Sequence, residues 1–147
     1  MHPREIGHGK SLRFAARFRV GETPVLELKY SPARIVDLSD YKAISFLIRG
    51  KGALRLHSLQ PSITDWDNYA SGWMELPPDW REVVLPFHGL RQAGWGKRRP
   101  FTEDRLSGVL FEVSPVPGPI IRPPAGLFNG MIRPLVPCLL YTSDAAD

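Results

Sequence analysis

Asp65–Gly96 reads DWDNYASGWMELPPDWREVVLPFHGLRQAGWG, and its pattern decides the fold. All four Trp residues of the chain (Trp66, Trp73, Trp80 and Trp95) fall inside it. Its centre predicts a β-hairpin, with Asn68–Leu76 as one strand, Pro77-Pro78-Asp79 as the turn and Trp80–Phe87 as the return. Val83, Leu85 and Phe87 share one parity, as a half-buried strand requires, because successive side chains point to opposite faces. Met74 and Leu76 share a parity on the partner strand, and Tyr69, Ser71, Trp73 and Glu75 take the other. One face then packs a core, and the opposite face carries two large aromatic rings beside polar groups.

The same period of two continues on both sides. In Lys10–Val20, Leu12, Phe14, Ala16 and Phe18 alternate with Arg13, Ala15, Arg17 and Arg19, which predicts a strand with a basic outer face. Gly21-Glu22-Thr23-Pro24 predicts a turn and Val25–Tyr30 the next strand. Ser31–Tyr41 is a connector in which Asp37–Tyr41 fits one helical turn. Ala43–Arg49 places Ile44, Phe46 and Ile48 inward, and Gly50-Lys51-Gly52 turns the chain. Ala53–Gln60 then places Leu54 and Leu56 inward and Arg55, His57 and Leu59 outward. If these two strands pair, Arg49 and His57 stand near each other on the outer face. Leu106–Val113 is a further strand, with Val109, Phe111 and Val113 inward. The proline-rich Ser114–Ala125 is excluded from any central strand and reads as a surface loop. Gly126–Pro137 has no decisive pattern.

The run MELPPDWREVVLPFHGL (Met74–Leu90) resembles the central hairpin of the galactose-binding-like β-sandwiches. These include carbohydrate-binding modules of family 11 and its relatives, and the complex I intermediate-associated proteins. DLSDYKAISFLIRGKGALRLHSL (Asp37–Leu59) is similar to the preceding strand pair of the same families, and QAGWG (Gln92–Gly96) to one of their loops. The resemblance covers Ser11 to Val113 and implies an all-β, galactose-binding-like jelly-roll sandwich. It also implies a last strand with an Ile-Asp-Asp/Asn signature. That signature is missing here, so truncation is expected at the C-terminus, and a first strand upstream of Met1 is compatible with the same reading.

The last ten residues, Cys138–Asp147, read CLLYTSDAAD and match one frame of a transposon-based sequencing adapter residue for residue. The expectation is therefore a partial sandwich over residues 1–137 and a non-native tail over 138–147. The single Cys138 belongs to that tail, which leaves no disulfide framework, thiol nucleophile or Cys-based metal site elsewhere. With 15 Pro and 13 Gly, short strands and turns are favoured over helices. No apolar run reaches the length of about 18 residues that a membrane span needs, and no signal peptide is visible. The net charge is +4, and setting aside Asp144 and Asp147 raises it by two. The cations are spread out except for Lys97-Arg98-Arg99, which reads as a solvated loop, so no nucleic acid is expected as a partner.

Catalytic signatures are missing. His2, His8, His57 and His88 form no HExxH, and there is no GxSxG and no phosphate-binding Gly-rich loop. A glycosidase needs two carboxylates about 5 to 10 Å apart across a cleft. Asp65 and Glu75 are the only pair worth imagining in that role, and stabilising hydrogen bonds are their ordinary use. Binding is better supplied. Sugar rings present C–H patches that aromatic rings cover, while Arg, His and Glu take the hydroxyls. Tyr69 and Trp73, four residues apart on one strand face, are expected roughly 13 Å apart and spaced for units of an extended glycan. Arg49, His57 and Glu75 are the expected polar contacts, and the loop residues Trp66 and Trp95 the expected groove edges. Trp80 is assigned to packing. The resemblance further implies an oligosaccharide or polysaccharide ligand, other domains of a parent protein and an extracellular or cell-envelope location. It also allows a structural calcium, for which the sequence names no ligands. The rival expectation is a protein-interaction domain of the complex I intermediate-associated type, with a polypeptide on the same outer face.

Overall fold

The computed structural model describes residues 12–18, 26–30, 35–116 and 126–142. The turn expected at Gly21–Pro24, most of the proline-rich stretch after Ser114 and the end of the tail lie outside the described residues. Nine strands are described: β1 (Leu12–Phe18), β2 (Leu26–Tyr30), β3 (Tyr41–Lys51), β4 (Ala53–Leu59), β5 (Tyr69–Ala70), β6 (Met74–Glu75), β7 (Arg81–Pro86), β8 (Gly108–Ser114) and β9 (Gly126–Thr142). A single 3-10 turn, Phe87–Gly89, follows β7. Asp37–Tyr41 forms a tight turn, in which Asp37 Oδ1 accepts the Ser39 N–H at 2.9 Å and Leu38 O accepts the Tyr41 N–H at 3.0 Å. Among the described residues no helix is long and apolar enough to cross a membrane.

The strands form two antiparallel sheets packed face to face, a jelly-roll sandwich. One sheet has the order β1-β9-β3-β7; the other has the order β2-β8-β4-β5, with β6 also paired to β4. The inward positions read from the sequence on β3, β4 and β8 meet between the two sheets, together with residues of β9. Ile44, Phe46 and Ile48 of β3 join Leu54 and Leu56 of β4, Val109, Phe111 and Val113 of β8, and Phe128 and Ile132 of β9. The Phe46 and Phe111 rings meet edge-on across the sheets, with centroids 5.3 Å apart. Phe128 is wholly buried, and each such ring contributes about 3 to 5 kcal/mol by the cost of its removal.

The hairpin expected around Pro77–Asp79 does not form, nor do the strands on either side of Gly50–Gly52 pair with each other. β3 and β4 lie in different sheets, as do β6 and β7. The chain crosses the sandwich at Gly50–Gly52 and again at Pro77–Trp80. The two crossings are tied together: the Gly50 N–H donates to Pro77 O at 2.8 Å and the Leu76 N–H to Gly52 O at 2.9 Å. Alternation marks which residues face the core, but a core-facing strand has the same pattern in either sheet. β7 instead pairs with β3, setting Val83 opposite Phe46 and Leu85 opposite Ile44.

A second correction concerns the stretch between β5 and β6. His57 stands opposite Ala70, whereas Leu54 stands opposite Met74, so one extra residue lies between them on the β5–β6 side. This bulge moves Tyr69 to the core-facing side with Met74 and leaves Ala70 and Glu75 on the outer side. Ser71 bridges the interruption, its N–H donating to Leu56 O at 2.9 Å and its Oγ accepting the Leu56 N–H at 3.0 Å.

β9 supplies a strand where the sequence offered no decisive pattern. It runs between β1 and β3, and its backbone pairing continues to Thr142 opposite Tyr41. The register with β3 shifts between Ser45 and Phe46, where the β9 partner changes from Leu139 to Pro134. Both prolines of β9, Pro134 and Pro137, fall beyond Ile132, the last residue paired with the described part of β1. A residue without an N–H is tolerated there, because among the described residues that part of β9 is paired on one side only.

Candidate functional site

The outer face of the five-stranded sheet carries a charged cluster. Arg55 and His57 project from alternate positions of β4, and Glu112 stands directly opposite Arg55 on β8. Glu112 Oε1 accepts a hydrogen bond from Arg55 Nε and lies 3.4 Å from His57 Nε2. The Arg55 guanidinium also covers the Trp73 ring, 5.0 Å from its centroid. Burial alone would raise the Glu112 pKa. The hydrogen bonds from His57 and Arg55, and their positive charge, outweigh it and hold the carboxyl below its ordinary value. His57 Nδ1 and Trp73 Nε1 are buried without a hydrogen-bond partner among the described residues.

This cluster floors an open cleft of about 440 Å³. One wall is Ala70-Ser71-Gly72 with the loop of Trp66, Asp67 and Asn68, and the other is the loop of Gly89, Arg91, Gln92, Ala93 and Trp95. The two loops are joined by polar side chains. Asp67, only 2% exposed, accepts backbone N–H groups from Ala93 at 3.0 Å, Gly94 at 3.1 Å and Gly96 at 3.0 Å. Asp65 accepts those of Lys97 at 2.6 Å and Asp67 at 3.2 Å, and these bonds lower its pKa. Gln92 Nε2 donates to Asp67 O at 2.9 Å, and its Oε1 accepts the Arg99 N–H at 3.0 Å. Gly94 has φ +99°, and a Cβ on Gly96 would sit 2.6 Å from Asp65 Oδ2, so both positions require glycine.

On this braced frame, Trp66 and Trp95 stand at the cleft 64% and 66% exposed. Trp66 has φ +68°, a left-handed conformation that is uncommon for a bulky residue and that the Asp65 and Asp67 hydrogen bonds hold in place. Two rigidly mounted aromatic faces open to solvent above a polar floor can cover apolar ring faces while the floor meets hydroxyls.

The structure brings His57, Trp66 and Trp95 of the expected set to one cleft, adjoined by Trp73 through Arg55. Tyr69 lies on the inner side. Its ring is 5.2 Å from Phe101, and its hydroxyl donates to Arg99 O at 2.5 Å, so it props the loop from beneath. The expected outward pair of Tyr69 and Trp73 is undone by the bulge. Arg49 lies on the other sheet, its guanidinium against Met131 Sδ and 4.9 Å above the Trp80 ring, so it does not meet His57. Trp80 is accordingly half-buried beside Arg49, outside the core cluster. Glu75 is exposed, opposite Ala53, and does not line the cleft. Arg55, Glu112 and Arg91 were missed; the outward position of Arg55 was legible, but its partner on β8 required the strand order. The cleft carboxylates, Asp67 and Glu112, are both engaged by donors of the chain. Among the described residues no three metal-ligating side chains cluster to hold an ion, so no calcium ligands are assigned.

The sequence matches no protein-family model and no curated protein. The fold is similar to two solved structures from Clostridium thermocellum. One is a family 11 carbohydrate-binding module in complex with a β-1,3-1,4-mixed-linked tetrasaccharide, at TM-score 0.53 and 13% identity over 90% of this chain and 84% of that one. The other is the family 11 module of a cellulosomal cellulase, at TM-score 0.50 and 12% identity over 90% of this chain and 83% of that one. At such identity the likeness establishes the all-β jelly-roll fold.

Proposed function

We propose that this chain is a non-catalytic carbohydrate-binding module of a larger exported protein, and that it seats an extended polysaccharide in the cleft over the five-stranded sheet. The observation that carries this reading is the pair of exposed rings, Trp66 and Trp95, held on loops braced by Asp67. The stacking residues are then Trp66 and Trp95, with His57, Arg55 and Gln92 within reach of sugar hydroxyls. The likeness to a family 11 module bound to a tetrasaccharide supports the ligand class, and the cellulosomal origin of the other neighbour supports an exported parent. The engagement of Asp67 and Glu112 by donors of the chain supports binding without hydrolysis, since neither is free to act as one acid of a catalytic pair.

The test is affinity electrophoresis of the full chain through gels containing mixed-linked β-glucan, xylan or mannan. Retardation is expected in at least one polymer and should weaken about tenfold or more in Trp66→Ala and Trp95→Ala, with unchanged melting. A folded protein that no polymer retards would instead point to a polypeptide on this face.

A further inference from the structure

The charge around the cleft is net positive, and this concerns the chemistry of the ligand proposed above. Arg91–Pro100, the loop that carries Trp95, holds four cations (Arg91, Lys97, Arg98 and Arg99) and no carboxylate. Arg91 lines the cleft and is exposed. Only its Nη1 is engaged, donating to His88 O at 2.5 Å and Leu90 O at 3.1 Å; Nε and Nη2 have no acceptor among the described residues. The acids nearby offset this loop only in part, Asp65 lying close enough to Arg99 for their opposite charges to attract. Asp67 is buried under three backbone N–H donors, Asp65 is hydrogen-bonded to two, and Glu112 is paired with Arg55. A neutral sugar needs no unpaired cation, whereas a guanidinium with a free edge fits a planar carboxylate.

We infer that the cleft selects acidic polysaccharides, with a uronate carboxylate on Arg91 and the Lys97-Arg98-Arg99 rim drawing the chain in. This rests on the carbohydrate-binding reading and specifies its substrate class. The rings of Trp66 and Trp95 supply stacking that is blind to charge, and Arg91 supplies the discrimination. Exposed rim charges act at a distance and are screened by salt, while the Arg91 contact is short and less so.

The experiment compares glucuronoxylan and polygalacturonate with their carboxyl-reduced forms, which keep the backbone and lose the charge, and uses mixed-linked β-glucan as the neutral reference. Affinities are measured by titration calorimetry on the full chain, alone and as Arg91→Gln, as the triple variant Lys97→Gln/Arg98→Gln/Arg99→Gln, and as Arg13→Gln/Arg17→Gln on the opposite sheet. The expected result is roughly tenfold or greater preference for an acidic polymer over its reduced form, lost in Arg91→Gln and kept in the Arg13/Arg17 variant. The triple variant should lower affinity at low salt and match the parent at about 0.5 M salt. Equal affinity for acidic and reduced polymers overturns the inference and leaves the carbohydrate reading standing. An equal loss in the Arg13/Arg17 variant also overturns it, by showing attraction to net charge alone. No binding of any polymer by folded protein overturns both.

Discussion

A single buried carboxylate braces the loops that carry the exposed rings of Trp66 and Trp95. Asp67 holds three N–H groups of the opposite loop, so removing it leaves those donors unpaired in a covered site. Asp67→Ala is expected to cost about 3 kcal/mol in urea unfolding and, by loosening the loops of Trp66 and Trp95, to weaken the proposed polysaccharide binding. Trp80 presents the opposite case. Its ring is half-buried under Arg49 and lies outside the core, so Trp80→Ala should cost about 1 to 2 kcal/mol, against about 3 to 5 for Phe128→Ala. Equal losses for the two in the same denaturation series would show that Trp80 is a core residue after all. The identity of every Trp was plain in the sequence; their roles depended on a one-residue bulge and on which sheet each strand joined.

At the scale of the strand, the period of two was a reliable guide to facing. Ile44, Phe46, Leu54, Leu56, Val109, Phe111 and Val113 all face the core as their parity required. Pairing was not legible. Gly50–Gly52 and Pro77–Trp80 look like hairpin turns because both follow and precede alternating strands, yet each carries the chain from one sheet to the other. Their geometry is demanding. Gly52 has φ +116°, and a Cβ there would come within 2.6 Å of Phe128 Cδ2 and 2.9 Å of Ser114 O. Gly52→Ala is therefore expected to cost more than about 2 kcal/mol, whereas Gly72→Ala, which meets nothing within 4 Å, should stay within about 1 kcal/mol. Thermal melts of the two variants check the contrast. The same blindness to pairing hid the cleft floor: Arg55 and Glu112 are far apart in the sequence and meet because β4 and β8 are neighbours.

For the whole molecule, the Arg55–Glu112–His57 cluster links folding to pH. The folded-state pKa of Glu112 lies below its unfolded value, so its ionised form favours the native state. That contribution is fully present above the unfolded glutamate value of about 4.3 and is lost as pH falls through the depressed folded value. Glu112→Gln should lower the urea midpoint at neutral pH and make its decline on acidification shallower; an unchanged acid limb would show that the pairing adds nothing to stability. The sandwich also has a temporal consequence. Leu12 is paired with Ile132 and Leu26 with Val113, so the first described strand of each sheet finds its neighbour far along the sequence. A ribosome makes β1 and β2 long before β8 and β9. The early strands must wait with open edges until β8 and β9 have emerged, and closure by such distant contacts places folding on the millisecond-to-second scale of high-contact-order β proteins.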